Sequence, residues 1–341
     1  MTKAGVLDAD TAGAYGSLFS RFMRQQSKKV TLDWPKVVPP SGDLVTDYAG
    51  LEACPADAAL HHELLNKIAI VKLNGGLGTS MGCKGPKSAI HVRAGLTFLD
   101  LTVRQVEYLN TKYAVDVPLV LMNSFRTHEA TVKILNKYQH HNVTITCFTQ
   151  SCFPRIDRDH YTPLPVAPFS PETQERWYPP GHGDVYRALD RSGVLDLLRA
   201  QGKELVFISN VDNLGATVDL NIIYHLLSKD VDFCMEVTDK TRGDVQGGTL
   251  IEYEGKAKLL ELGQVPAEHE ADFKSLKTFT CFNPTSLWAS LSAMKSLVAA
   301  DAIQPPVIVN ERGLHTTTAL QLETAAGAAI EVRLQHAHLY A

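Results

Sequence analysis

The sequence predicts an α/β fold built on a mixed, mostly parallel sheet flanked by helices. Three observations predict it. Short apolar, largely β-branched runs recur at residues 68–73, 118–122, 143–148, 205–208 and 231–237, each of strand length. Helical faces lie between them: Leu99, Val103 and Val106 at i, i+4 and i+7, then Thr131, Ile134, Leu135 and Tyr138. Strands alternating with helices imply a parallel sheet covered on both sides. The first run also opens directly into a glycine-rich loop, where sheets of this kind bind phosphate groups.

In chain order, residues 1–65 read as an N-terminal helical region, with Phe19, Phe22 and Met23 as an apolar patch and a Pro-rich link at Pro35, Pro39 and Pro40. Residues 66–330 read as the main domain and residues 331–341 as a divergent tail. Within the domain, residues 152–183 look like a loop, with seven prolines from Pro154 to Pro180. So long a loop in a compact fold points to function. Residues 249–262 read as a hairpin turning at Glu254-Gly255.

Of the 341 residues, 45% are hydrophobic and 21% charged, with a net charge of −4. This is ordinary globular composition. No block of Lys and Arg suggests nucleic acid or anionic lipid as a partner, and no apolar run is long enough to span a membrane. An anionic substrate therefore needs a local positive site. The six cysteines are scattered, with no C-x-x-C pair. They read as reduced thiols, which places the chain in the cytoplasm.

The segment KLNGGLGTSMGCKGPKS, residues 72–88, carries the strongest signal. Five glycines (Gly75, Gly76, Gly78, Gly82 and Gly85) follow a buried-type strand within eleven residues. Such glycines let backbone N–H groups approach a phosphate, and Lys84 and Lys87 stand where they could reach its oxygens. The ATPase pattern G-x-x-x-x-G-K-[ST] is not met. The dinucleotide pattern fails too, because Gly82 comes one residue late after Gly76-Leu-Gly78. A second signal is a strand ending in Asn210-Val211-Asp212. A carboxylate there, facing a phosphate loop, is a natural Mg²⁺ ligand; the bland reading is a turn residue or helix N-cap.

Further blocks extend these two. They are FTQS at 148–151, WYPPGHGD at 177–184, SNVDNLGATVDL at 209–220, MEVTDKTRGDVQGGTLIEYEGK at 235–256 and QLETAAGAAI at 321–330. Together with LNGGLGTSMGCKGPKS, in this order, they resemble the eukaryotic-type UDP-glucose pyrophosphorylases (UTP–glucose-1-phosphate uridylyltransferases) over roughly residues 60–330. The resemblance implies a Rossmann-like, GT-A-like nucleotidyltransferase domain. It implies a Mg²⁺-assisted reaction of UTP with glucose 1-phosphate, giving UDP-glucose and pyrophosphate by direct attack on the α-phosphorus. It puts Leu73, Asn74, Gly75, Gly76 and Gly181 at the nucleotide, and Gln150 at the uracil edge, where an amide both donates and accepts. Lys87 holds the triphosphate, Asp212 the metal, and His182 the sugar phosphate. Asn210, Val211, Gly248, Glu261 and Thr285 fall on the sugar side. Lys87 and Asp212 are thus the implied catalytic pair.

Three departures stand out. Cys152 replaces the basic residue that the family shows after Ser151. Pro284-Thr285 replaces an asparagine-rich run. After Ile330 the family continues with a nucleotide-contacting lysine and a C-terminal β-helix used in oligomerisation, whereas here the sequence reads EVRLQHAHLYA. The expectation is a chain cut short before that domain, with any homo-oligomer weakened. His336-x-His338 reads as a chance pair. The alternatives are a catalytically impaired UTP-binding remnant and a pyrophosphorylase for another UDP-sugar.

Overall fold

A computed structural model describes residues 7–28, 32–42, 44–83, 85–164, 167–245, 247–314, 317–332 and 337–340. Helix α1 (Ala9–Lys28) is followed by strand β1 (Val37–Val38), helix α2 (Ala58–Asn66) and strand β2 (Ile68–Asn74). A small hairpin, β3 (His91–Arg93) and β4 (Leu96–Thr97), leads into α3 (Phe98–Tyr113), β5 (Leu119–Asn123), α4 (His128–Leu135) and β6 (Ile145–Thr149). The Pro-rich segment holds β7 (Phe153–Pro154), β8 (Ile156–Asp157) and β9 (Trp177–Tyr178). Then come α5 (Val185–Arg191), α6 (Val194–Ala200), β10 (Leu205–Asn210), α7 (Leu220–Ser228), β11 (Phe233–Asp239), β12 (Thr249–Tyr253) and β13 (Lys256–Leu260). The chain continues with α8 (Glu270–Phe273), β14 (Cys281–Ser290), α9 (Leu291–Ala299), β15 (Ile308–Leu314), β16 (Thr317–Glu323) and β17 (Ala337–Tyr340).

The main sheet runs in the order β1-β12-β14-β10-β2-β5-β6, with β11 beside β14 and β13 beside β12. Strands β10, β2, β5 and β6 are mutually parallel, whereas β14 runs antiparallel to β10 and β11. All seven residues of β2 are buried. Its side chains alternate between two layers, as the strand period demands. Ile68 and Ile70 pack with Leu65, Leu99, Val103, Val106 and Ile223 from α2, α3 and α7. Ala69, Val71 and Leu73 pack with Tyr186, Leu189, Leu195 and Leu291 from α5, α6 and α9. Each such fully buried aliphatic side chain contributes about 1.5–3 kcal/mol.

The helices start where the sequence supplies caps. Thr97 and Asp100 form a reciprocal capping box on α3, and Asp219 accepts from Asn221 and Ile222 N–H at the head of α7. The predicted hairpin forms as β12–β13, with Glu254 (φ 51°) and Gly255 (φ 74°) at its turn. Positive φ at both positions is the geometry of a two-residue type I′ connection.

The N-terminal region differs from a purely helical reading. Val37 and Val38 pair with β12 as an edge strand, a unit too short to show any period. Phe22 is fully buried, but Met23 is 37% exposed: one helical step carries it off the buried face. Helix α1 packs through Ala14, Tyr15, Leu18 and Phe22 onto Phe153, Tyr178, Leu320 and Leu322. It thereby backs a second sheet, β15-β16-β8.

Strand β14 carries an irregularity that matters below. From Glu236↔Ser286 to Thr238↔Phe282, β11 advances two residues and β14 four. The extra residues of Asn283, Pro284 and Thr285 bulge out, at the point where β14 leaves β10 and turns to β12. A bulge tolerates the missing N–H of Pro284. Thr285 sits at φ 60°, an unfavourable conformation for a β-branched residue.

Candidate active site

The carboxyl ends of β2, β5, β6 and β10 lie side by side, and the loops leaving them form a cleft of about 800 Å³. Ligands of open parallel sheets bind at this edge. Leu73, Gly75, Gly76, Lys87, Gln150, Gly181, His182, Asn210 and Asp212, all expected from the sequence, line it.

The glycine loop is folded back on itself. Lys87 N–H donates to Gly76 O at 3.1 Å and Gly78 N–H to Gly85 O at 3.0 Å. This brings the Lys87 stem beside Gly76 and its Nζ to 3.1 Å from Asp212 Oδ2. The two predicted catalytic residues are thus an ion pair, each about one-third exposed to the cleft (34% and 28%). Lys84 lies outside the described residues.

Gly75 is required by close approach: a Cβ there would run into Gln150 Nε2. Gln150 is itself buried, and its Oε1 has no hydrogen-bond partner. A desolvated, unpaired amide oxygen beside a phosphate loop calls for a donor from a ligand. The loop is held in place by Ser124 Oγ donating to Gly75 O and Thr127 Oγ1 to Asn74 O, both at 2.8 Å.

The Asn74 side chain does not line the cleft. It is 1% exposed and donates to Asn123 Oδ1 at 2.7 Å and Thr131 Oγ1 at 2.9 Å, joining β2 to β5 and α4. The strand period explains this: Leu73 faces the cleft, so Asn74 faces the other way.

His182 follows Gly181, whose φ of 88° favours glycine. Ala326 N–H donates to His182 Nδ1 at 2.9 Å, which leaves the ring proton on Nε2. Burial pulls the imidazole down to about 4, so it is neutral near pH 7. Asp184, two residues on, accepts from Ser151 N–H at 2.6 Å and ties this loop to Gln150.

The 210–216 segment after β10 is a turn, not a helix start. Asn213 N–H donates to Asn210 O at 3.1 Å, which closes a turn with Val211 and Asp212 at its centre, and Asn213 Oδ1 accepts from Gly215 and Ala216 N–H, so the side chain that caps the following turn is that of Asn213. Val211 is 2% exposed and does not line the cleft; its N–H bonds to Leu73 O.

Gly248, Glu261 and Thr285 also lie off the cleft wall, grouped around the β14 bulge. Asn283 N–H donates to Gly248 O, and a Cβ on Gly248 would stand 2.6 Å from Glu261 Oε1. Burial raises Glu261 to about 7. The bulge connects to the Asp212 turn through Asn213 Nδ2, which donates to Pro284 O at 3.3 Å.

The family whose description is UTP–glucose-1-phosphate uridylyltransferase matches residues 13–338. The chain belongs to that family. The uridylyltransferase of Pyrus pyrifolia is 52% identical over 314 residues, 92% of this chain and 66% of that protein. The uridylyltransferase of Saccharomyces cerevisiae is 48% identical over 321 residues, 93% of this chain and 63% of that protein. A variant of the Leishmania major UDP-glucose pyrophosphorylase, solved in complex with UDP-glucose, superposes at a TM-score of 0.81 with 29% identity. It covers 99% of this chain and 74% of that one. This member of the uridylyltransferase family spans about two thirds of the length of the first relatives it matches.

One wall of the cleft in this uridylyltransferase-family chain was not read from its sequence. Arg126, Arg155 and Arg312 line it, with Glu175, Gln321 and Glu323. Arg155 Nε donates to Glu175 O at 2.7 Å, and its two Nη groups face the side-chain amide of Gln321. Arg126 Nη2 donates to Trp177 O at 3.3 Å. Arg126 also lies close enough to feel the thiol of Cys152. A cation therefore stands near the position where the sequence lacks the family's basic residue. These arginines come from separate loops and a distant strand, so no spacing joins them before folding.

Proposed function

We propose that the chain transfers a uridylyl group from UTP to glucose 1-phosphate, releasing pyrophosphate and forming UDP-glucose. The observation that carries this reading is the Lys87–Asp212 pair, 3.1 Å apart at the mouth of the glycine loop. The UDP-glucose held by the Leishmania major relative is the product this reading assigns. Residues 66–330 form the catalytic portion, and α1 buttresses one cleft wall.

The chemical problem is the approach of two anions. Catalysis here is positioning and charge neutralisation in direct attack on the α-phosphorus. The backbone of Gly75 and Gly76 borders the phosphates. Gln150 offers an acceptor for the N3–H of uracil, the group that distinguishes it from cytosine. Lys87 neutralises charge on the departing pyrophosphate. His182 donates its Nε2–H to the sugar phosphate while remaining neutral, so it does not compete for a proton.

Among the described residues no group of three His, Cys, Asp or Glu could hold a metal alone. On the glycine-loop side of the cleft the carboxylate donor is Asp212, whereas Glu175 and Glu323 line the arginine wall. One carboxylate plus phosphate oxygens is how Mg²⁺ is held at phosphoryl-transfer sites, so these residues fit an ion arriving with the nucleotide. Bound there, Mg²⁺ would neutralise phosphate charge. The compartment we propose is the cytoplasm. No described helix is long and apolar enough to cross a membrane, and all six cysteines are unpaired, as a reducing compartment favours.

The test is pyrophosphate release by the 341-residue chain from UTP, glucose 1-phosphate and Mg²⁺, with ATP and GTP as controls. N-Acetylglucosamine 1-phosphate, run in parallel, reads the sugar preference. UTP-specific release supports the assignment, and none from a folded chain refutes it.

A further inference from the structure

Lys72 takes no part in the mechanism above, yet it is the most buried lysine among the described residues, at 2% exposure. Taking an ammonium out of water costs several kcal/mol unless its protons are well satisfied. Here they are. Nζ donates to Ser209 Oγ at 2.7 Å, Ala216 O at 3.3 Å and Asn213 O at 3.5 Å. Lys72 stands opposite Ser209 in the parallel β2–β10 ladder, so the side chain reaches across the strand end to the turn beyond it.

The three acceptors bracket Asp212: one lies three residues before it, one follows it directly, and one lies four residues after. Residues 211–218 form no helix or strand. Apart from Lys72, the ties of this segment are the Val211–Leu73 and Asn213–Asn210 backbone bonds, the two bonds to Asn213 Oδ1, the bond from Asn213 Nδ2 to Pro284 O, the bond from Gln105 Nε2 on α3 to Leu214 O at 3.0 Å and the Lys87–Asp212 ion pair. Only the first of these fixes the turn to β2, and it lies before Asp212. Asp212 is also the charged group whose field favours the Lys72 ammonium. A buried cation thus lies beneath the carboxylate assigned to the metal, anchoring the backbone on both sides of it.

We propose that Lys72 is a positioning residue, which holds residues 209–216 so that the Asp212 carboxylate meets the metal–nucleotide complex in binding geometry. This rests on the uridylyltransferase reading. Lys72 touches neither substrate nor metal. Groups that orient a metal ligand change metal affinity or activity by about 10- to 100-fold when removed.

The test uses the 341-residue chain as wild type, Lys72→Met, Lys72→Arg and Ser209→Ala. Calorimetry measures UTP affinity in EDTA and in Mg²⁺, and a ligand-free thermal melt reports folding. Wild type binds UTP more tightly with Mg²⁺ than in EDTA. In Lys72→Met, affinity in EDTA stays within about twofold, because Gly75 and Gln150 are held from β5, while the Mg²⁺-linked gain falls about tenfold or more. Lys72→Arg restores most of that gain, since a cavity of about 300 Å³ lined by Lys72, Val106 and Ala216 gives the larger head room. A folded Lys72→Met with the wild-type Mg²⁺ gain overturns the proposal, as does an equal loss in EDTA and Mg²⁺. If Lys72→Met does not fold, Ser209→Ala decides. It keeps the charge, removes the nearest acceptor and lowers the gain about three- to tenfold; an unchanged gain overturns the role. A wild-type chain that binds no UTP in Mg²⁺ refutes the uridylyltransferase reading itself, and Lys72's role falls with it.

Discussion

Replacing Gln150 with methionine keeps the side chain's length and removes its amide. In the free protein Gln150 is 7% exposed and its Oε1 is unpaired, so the amide oxygen is already desolvated, a state that costs about 1–3 kcal/mol. Gln150→Met removes that penalty. Stability should hold or rise by about 1 kcal/mol, a shift of roughly 2–4 °C in melting temperature. Recognition should move the other way. Two neutral hydrogen bonds to uracil are lost and the base's own polar groups are left buried, about 2–3 kcal/mol together. That is a fall of about 30- to 160-fold in kcat/KM for UTP. CTP should change little, so the preference for UTP should shrink by nearly the same factor. Pyrophosphate release with each nucleotide and a calorimetric melt of the same preparation provide the two readouts. A variant that melts well below wild type yet keeps its UTP preference would refute the argument, because Gln150 would then be a packing residue.

Lys87→Ala and Asp212→Ala each remove one member of the cleft ion pair and should lower kcat/KM by about 10²–10³; steady-state kinetics with varied Mg²⁺ check both. The His182 imidazole is pulled down to about 4 by burial, from an ordinary 6.5. The unfolded chain therefore binds the extra proton first, and stability present above pH 6.5 is lost as pH falls through 4. His182→Gln should flatten melting temperature against pH in that window. Glu261 has the opposite sign, since burial raises it from 4.5 to about 7. Its stabilising effect is complete below pH 4.5 and lost as pH rises through 7, so Glu261→Gln should melt above wild type at pH 8. Thr285→Asn should stabilise by about 0.5–1 kcal/mol, because asparagine tolerates φ 60° where a β-branched residue is strained; denaturant unfolding measures it.

The parallel core was legible because β2, β5 and β10 are buried on both faces and so read as apolar runs, with Lys72 the one charged interruption. The boundaries drifted where a residue does two jobs. Pro118 supplies its carbonyl to Ile70 N–H but stands just outside β5, and Val143 is spent on the turn before β6. The glycine loop, Lys87, Gln150, His182 and Asp212 were legible because each follows a strand or sits in a long contiguous block. The direction of the Asn74 side chain was hidden by the same adjacency, because a motif says nothing about which side of a strand a residue faces. The arginine wall was illegible because Arg126, Arg155 and Arg312 meet only after β15–β16 docks near the Pro-rich segment. Thr285 was read as a shorter arm, whereas its backbone conformation shows only in three dimensions.

The packing of α1 has a bearing on how the protein is made. Tyr15 stacks edge-on against Phe153, and Arg21 Nη1 donates to Pro305 O at 2.6 Å across 284 residues of sequence. Contacts so distant close late, because the intervening chain must be ordered first. During synthesis the parallel strands can assemble as they emerge, while α1 waits for residues 307–322. Until then its apolar face and the unpaired edge of β8 remain open to solvent. Helix α1 is thus made well before the residues it docks on, and the cleft wall it backs is complete only when they meet.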